Sequence, residues 1–473
     1  MPTPIPSALQ ALVDQAGQSQ LLAYWERLDQ FGRSRLQAQL KGFDWTQIAA
    51  CRQLAASRAD AAGPEGPLNI TAARTPPCHP LDANDPAAIA AGREALAAGT
   101  VGCVLMAGGQ GTRLGFDGPK GTFPVGPISQ ASLFGILLGK LAAVGRRYGR
   151  PVALAIMTSG ATDAATREFL AAHDFCGLKP DQVFVFCQGT LPAVDAATGQ
   201  LLLDAPDHVA VAPDGHGGML GALAASGGLD WFADRDIGTI VSFQVDNPLA
   251  RPLDPEFLGH HRLTSASFST QVVPKTDPAE RVGVVVATAD TTRVVEYSDL
   301  PDELAAECLP DGRLRFHAGS IAIHAFQRAF LERAAAAADN LPLHLAHKKV
   351  PFLDAAGELV EPEAANAYKF ERFIFDLMPL AERVTVVEVT AAEGFAPLKN
   401  PRGAASDSPE TVRQALIAHA RRHLAAAGIT VADGIDVELD AATVVDDDDL
   451  RQLAAAGSLP DNRIDRPQVV RAG

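Results

Sequence analysis

The chain is short of positive charge: 40 Lys and Arg stand against 56 Asp and Glu in 473 residues, a formal net charge of −16. That balance disfavours non-specific nucleic-acid binding, whose affinity comes from neutralising phosphates. No apolar run approaches the length needed to cross a bilayer. The start, MPTPIPSALQ, lacks a basic segment followed by an apolar one. No nucleic-acid or membrane partner is expected, and a soluble, cytoplasmic protein is the default. Six cysteines (Cys51, Cys78, Cys103, Cys176, Cys187, Cys308) form no CxxC pair, which argues against a disulfide frame or a zinc site built on them. Cys103 and Cys187 lie in apolar, strand-like runs and read as buried free thiols. No internal repeat is evident, and no Ser-His-Asp or Cys-His motif can be recognised.

What is present is enough apolar sequence, 47%, to bury a large core in two or three domains. Residues from Leu9 to Ala61 have helical spacing, with Leu21, Leu22, Trp25, Leu28 and Phe31 as an apolar stripe that reads as core packing. A Pro/Gly-rich linker follows at 63–86, then a helix over Ala87–Ala98. Short apolar runs at Val101–Met106, Val152–Met157, Val183–Cys187 and Ile237–Val245 alternate with helical stretches such as Leu133–Tyr148 and Asp163–Ala172. Strands of this kind are buried on both faces, and the alternation predicts an open, mostly parallel α/β sheet. An Ala-rich helix, Pro409–Ala427, precedes short β-branched runs broken by Gly and Asp. The acidic run Asp446–Asp449 lacks the spacing and glycine of an EF-hand and reads as a solvated turn or helix N-terminus. The expected organisation is a helical region with linker over 1–95, a catalytic domain over 96–394 and a C-terminal lobe over 395–473.

The most informative stretch is VGCVLMAGGQGTRLGFDGPKGTFPVG, residues 101–126. After a buried strand come four glycines, Gly108, Gly109, Gly111 and Gly115, with Arg113 on the far side of the loop and Lys120 after a Pro-led turn. Glycines at this density let backbone N–H groups approach an anion, while Arg and Lys add a fork and a point charge for phosphates. A GxxxxGK[ST] loop would need Lys directly after its last glycine, and a GxGxxG fingerprint would need glycine where Leu114 stands. In open parallel sheets ligands lie beyond the carboxyl ends of the strands, where this loop, Gln188 and Asp246 all fall.

LMAGGQGTRLG…PKG resembles the signature of sugar-nucleotide pyrophosphorylases. Later landmarks narrow the resemblance to the eukaryotic-type UDP-sugar pyrophosphorylase family, closest to its N-acetylhexosamine branch. They include FCQGTLPAV (186–194), PDGHGGMLGAL (213–223), VDNPL (245–249), KTDPAERVGVV (275–285), VVEYSDL (294–300), FHAGSIAIH (316–324), HKKVPFLD (347–354), KFERFIFD (369–376) and FAPLKN (395–400). The resemblance implies a Rossmann-like, GT-A-like nucleotidyltransferase sheet with an N-terminal helical region and a small β-rich C-terminal lobe. It also implies attack by a sugar 1-phosphate on the α-phosphorus of UTP, releasing pyrophosphate. Such a reaction needs cations, backbone donors and a metal more than a general base, because the nucleophile is already anionic.

By the same resemblance, Arg113 and Lys120 contact the triphosphate, Lys399 reaches the sugar phosphate and Asp246 holds Mg²⁺. Gly108, Gly109, Gly111, Thr112, Gln188 and Gly215 form the nucleotide pocket, with the Gln188 amide suited to the uracil edge. Gly283 and Glu296 face the sugar, joined by His216 and Ser320. Lys348 and Lys349 fit the same electropositive cleft or are surface charges. Two positions depart from the N-acetylhexosamine pattern: His216 replaces the Asn of PDGNGG, and Ser320 replaces the second Asn of FNAGN, whose first Asn is His317 here. A histidine at the first position is a feature of UDP-glucose relatives. The expected substrate is therefore an N-acetylhexosamine 1-phosphate, with glucose 1-phosphate or broad UDP-sugar specificity as the alternative. A non-catalytic nucleotide-binding regulator is a third reading, opposed by the joint presence of Arg113, Lys120, Asp246 and Lys399. An NAD-dependent oxidoreductase is opposed by the glycine spacing.

Overall fold

The structure, a computed structural model, describes residues 4–60, 72–81, 83–289, 291–336, 341–457 and 462–472. Residues 63–71 and 82 of the linker expected at 63–86 therefore lie outside them. Two compact units are present: one comprises Met1–Ile70, Gly189–Gly221 and Ala337–Asp376, the other Thr71–Gln188, Ala222–Ala336 and Leu377–Gly473.

The second unit is built on a large sheet. Its strands are β1 (Cys78–Pro80), β2 (Val101–Met106), β3 (Ala153–Thr158), β4 (Val183–Cys187), β5 (Thr239–Gln244), β6 (Phe268–Pro274), β7 (Val284–Ala287), β8 (Thr292–Val295), β9 (Ala318–Gln327) and β10 (Val384–Glu388). The order is β1-β10-β6-β9-β5-β2-β3-β4, with the β7/β8 hairpin branching from β9. Along this path only β9 runs against the others, so the sheet is mostly parallel, as the apolar runs predict. Every residue of β2 and β3 is buried, the mark of strands covered on both faces.

The local signals explain where the helices begin and end. Ser132 caps Leu133–Tyr148 by accepting from the Gly135 N–H at 3.0 Å, and Gly149 ends it at φ 63°. Asp85 caps Pro86–Ala98 from the position before an N1 proline. That helix crosses Pro255–Leu263 through glycines: a Cβ on Gly259 would stand 1.7 Å from the Ala88 carbonyl oxygen, and one on Gly92 1.8 Å from that of Pro255. Because both obstacles are backbone, Gly259→Ala is expected to destabilise the protein by about 3 kcal/mol, at the upper end of overpacking costs. Urea unfolding checks this, and an unchanged midpoint would contradict the close crossing.

The C-terminal lobe joins helix Pro409–Ala426 to two parallel strand pairs, Thr430–Val431 with Arg463–Ile464 and Val437–Leu439 with Gln468–Val470. Leu424, Ile429, Val437, Leu450 and Ile464 form its core. Asp446 is the N-cap of helix Asp447–Ala455, so the acidic run is a helix N-terminus, and Asp446 and Asp449 both pair with Arg147. Among the described residues no helix is long and apolar enough to cross a membrane.

The first unit packs helices Ser7–Gln15, Gln30–Gly42 and Trp45–Asp60 with a three-stranded sheet of His344–Lys348, Ala367–Glu371 and Val194–Asp195. Its core includes Leu9, Leu21, Leu22, Trp25, Leu36, Ile48 and Phe370. Two sequence expectations fail. Phe31 is 83% exposed rather than core: Leu21, Leu22 and Trp25 sit in separate short 3₁₀ turns, and a new helix capped by Asp29 resets the phase before Phe31. Cys187 is exposed, because β4 is the edge of the sheet and Cys187 its last residue. Cys103, on the central β2, is buried as expected, and burial pushes its thiol pKa well up.

Candidate active site

The glycine loop leaves β2 at its carboxyl end and folds on itself. The Gly111 N–H donates to the Gly118 carbonyl at 2.9 Å, and the Lys120 N–H to that of Gly109 at 3.0 Å. Gly115 and Gly118 take φ values of 67° and 136°, which non-glycine residues rarely adopt. A Cβ on Gly111 would meet Phe116 at 2.7 Å, so this turn requires glycine. Gly109 has open space where a Cβ would project, while Ser159 Oγ, from the loop after β3, holds the Gly108 carbonyl at 2.7 Å. Gln188 follows β4, and its carboxamide packs over Gly108, 3.2 Å from where a Cβ would lie. Thr112 and Arg113 are exposed on the loop.

Asp246 lies just past β5 and is 8% exposed. It caps no helix, since the next one, Pro255–Leu263, is capped by Asp254. Lys120 Nζ stands 4.0 Å from Asp246 Oδ2 and 3.4 Å from the Leu398 carbonyl. Burial lowers the Lys120 pKa; Asp246 opposes that shift, and Lys399 and Arg113 add to it. Lys120 thus lies in the field of one carboxylate and of two further cations, although Lys399 lies far away in sequence. Its exposed side chain passes over the Phe395 ring, 5.7 Å from the centroid.

Two residues that build this arrangement escaped the sequence reading. Asn247 ties the strand end to the Lys399 segment: its Nδ2 donates to the Gly394 carbonyl at 2.8 Å and its Oδ1 accepts from the Ala396 N–H at 3.1 Å. Asp407, at φ 54°, accepts from the N–H groups of Lys399 and Asn400 through its carbonyl. Burial raises its carboxyl pKa, with Lys399 opposing and Asp246 reinforcing the shift. In sequence, Asn-Pro reads only as a turn and Asp-Ser-Pro only as the approach to a helix cap.

The hairpin gathers a second group. A Cβ on Gly283 would meet Glu296 Oε1 at 2.9 Å, and the Gly283 carbonyl accepts from the Ser320 N–H at 2.8 Å. Glu296 and Ser320 therefore both adjoin Gly283. His317 is buried, its Nδ1 3.0 Å from the Leu314 carbonyl.

Gly215 and His216 belong to the first unit. Gly215 has φ 84°, and a Cβ there would stand 2.5 Å from the Arg372 carbonyl oxygen. The loop is pinned by Arg372 N–H to the Asp214 carbonyl and Gly217 N–H to the Arg372 carbonyl, each 2.7 Å. His216 Nδ1 accepts from the Ile374 N–H at 3.1 Å, so the neutral ring carries its proton on Nε2. The ring stacks on Phe373 with centroids 5.2 Å apart, and burial lowers its pKa to about 4. Lys348 and Lys349 are exposed in this unit.

Backbone donors on a glycine loop, with a lysine–carboxylate pair and further cations in reach of that lysine, suit the transfer of a phosphoryl-linked group between polyanions. The molecule is a nucleotidyltransferase. Residues 80–417 match the model of the UTP–glucose-1-phosphate uridylyltransferase family, and the chain belongs to that family. It is 37% identical over 450 residues to UDP-N-acetylhexosamine pyrophosphorylase-like protein 1 of Mus musculus, covering 91% of this chain and 88% of that protein. The UDP-N-acetylglucosamine pyrophosphorylase of Saccharomyces cerevisiae is 34% identical over 443 residues, covering 90% and 92%. The solved UDP-N-acetylglucosamine pyrophosphorylase of Trypanosoma brucei, in complex with an inhibitor, superposes with a TM-score of 0.82 at 26% identity over 99% of each chain.

Proposed function

We propose that the protein transfers the uridylyl group of UTP to N-acetylglucosamine 1-phosphate, releasing pyrophosphate. The observation that carries the reading is Lys120 beside the glycine loop, paired with Asp246 and within electrostatic reach of Arg113 and Lys399. Loop N–H groups and Arg113 bind the triphosphate, and Lys120 meets charge developing on the departing pyrophosphate. Gly108, Gly109, Gly111 and Thr112 offer the backbone around the nucleotide, and Gln188 reads the uracil edge. Lys399 orients the sugar phosphate, an anion that needs no base to attack. Asp246, with Asp407 in the same field, offers the hard oxygen donors that Mg²⁺ takes. When bound there, the ion neutralises phosphate charge. Glu296, beside Gly283, accepts from sugar hydroxyls.

The names of the mouse, yeast and trypanosome relatives support the N-acetylated sugar. His216 and Ser320 support a second reading, with glucose 1-phosphate as an additional substrate. The deciding assay measures pyrophosphate release from UTP with a panel of sugar 1-phosphates. Turnover with none of them would sink the enzymatic role of this site and favour a regulator.

Lys399→Ala is expected to raise the KM for the sugar phosphate and lower turnover while leaving UTP affinity nearly intact. An equal loss of UTP binding in calorimetry would assign Lys399 to the other substrate. The pair His216→Asn with Ser320→Asn is expected to shift relative kcat/KM toward the N-acetylated sugar by about 1–3 kcal/mol, the scale of single polar contacts. The Asn amide can replace the His216 acceptor used by the Ile374 N–H, and at Ser320 it adds a longer donor and acceptor. An unchanged ratio between the glucose and N-acetylglucosamine substrates would place specificity elsewhere.

A further inference from the structure

Beyond the uridylyl-transfer reading, one cluster of ligand-type side chains in the second unit has no part in the chemistry above. Glu393 lies in the short helix Ala391–Gly394, and His419 and His423 are one turn apart on Pro409–Ala426, a spacing that puts both rings on one face. Glu393 Oε2 is 2.8 Å from His423 Nε2 and 3.5 Å from His419 Nε2, and the ring centroids are 4.2 Å apart. One ligand atom from each of the three residues lies within 4.8 Å of the others.

Outer contacts hold two of these three residues in place. Arg422 Nε holds Glu393 Oε1 at 2.7 Å, leaving Oε2 toward the histidines. Asp447 bonds His423 Nδ1 from behind, in the manner of the carboxylate–histidine pairs that orient metal-bound imidazoles. Both histidines line a cavity of about 530 Å³, which gives an entry path and room for a water as a further ligand. Two imidazoles and a carboxylate with an open position are the donor set of zinc-type sites.

We propose that Glu393, His419 and His423 bind a transition-metal dication of the Zn²⁺ type, with Asp447 orienting His423. The proton now shared between His423 Nε2 and Glu393 leaves as the metal enters. Such an ion clasps the segment leading to Lys399 against the C-terminal lobe, because Glu393 precedes Phe395 while Asp447 opens the lobe's last helix. Lys140 and Arg251 line the same cavity and act electrostatically on His419, so the affinity should be lower than that of a structural zinc site.

The test strips the full-length protein with a chelator and titrates it with Co²⁺, then competes with Zn²⁺. One equivalent should bind, with d–d absorption of low-coordinate intensity displaced by Zn²⁺. His419→Ala should lower affinity about 100-fold, and Asp447→Asn about 10-fold, the range seen for outer-shell partners. His423 bridges two carboxylates, so His423 variants risk unfolding the lobe; His419→Ala avoids that risk and its fold is checked by circular dichroism. Asp246→Ala should bind Co²⁺ unchanged, which separates this site from the triphosphate site. The proposal is overturned if no stoichiometric binding occurs, if His419→Ala binds as well as the parent, or if binding is lost in Asp246→Ala. The three residues would then be an imidazolium–carboxylate clamp alone.

Discussion

Asp246→Ala is expected to lower turnover about 1,000-fold or more while UTP still binds, though more weakly. A thousandfold loss is about 4 kcal/mol of transition-state stabilisation, within what a bound divalent ion supplies to phosphoryl chemistry. Binding survives for a reason visible in the site: without the Asp246 carboxylate, Lys120, Lys399 and Arg113 remain as a positive surplus that Asp407, in reach of Lys399, opposes only in part. That surplus attracts a polyanion without orienting it for transfer. Asp407, already within electrostatic reach of Asp246, provides at most a partial substitute. The check is kcat across a Mg²⁺ titration together with UTP calorimetry. Near-parental activity at any Mg²⁺ concentration would remove Asp246 from the metal role.

Lys120→Ala should reduce kcat about 100- to 1,000-fold, the scale reported for removing one preorganised charge donor from an active site. Its Nζ sits between the Leu398 carbonyl and Asp246. The side chain is only 20% exposed, so its charge is poorly screened and little free to move. Lys120→Arg should recover little, because a planar fork does not fit a place shaped for a point charge. Single-turnover pyrophosphate release distinguishes a chemical defect from slow product release. A variant with parental kcat and only a raised KM for UTP would reduce Lys120 to ground-state binding.

Much of the fold follows from patterns within a few dozen residues. The apolar runs at 101–106 and 183–187 became strands with those limits, and Leu133–Tyr148 and Asp163–Ala172 became helices as read. Caps such as Ser132 and terminators such as Gly149 act on backbone groups one turn away, so their effect is local. The loop's need for glycine was equally plain, since positive φ and close backbone approach admit little else. Strand ends carrying Gly108, Gln188 and Asp246 were expected at one edge, and parallel pairing of β2 with β3 and β5, and of β3 with β4, puts them there.

Only the tertiary structure decided the contacts between distant segments. The stitching of Asn247 to Gly394 and Ala396, and the placing of Asp407 beside Lys399, bridge more than a hundred residues and a helix approach, respectively. Neither residue has a periodicity or spacing that announces it. The exposure of Phe31 and Cys187 turned on a reset helix and an edge strand, neither of which is a property of the residue itself. His216 shows the same division: its identity was read from a motif, but its Nδ1 is committed to the Ile374 N–H, a bond set by how two loops of one unit pack. The sequence by itself determined the elements and the loop chemistry, because hydrogen bonding and apolar periodicity act over a few residues. Tertiary structure decided which charges share a field, because burial and Coulomb energy depend on distance in space and not along the chain.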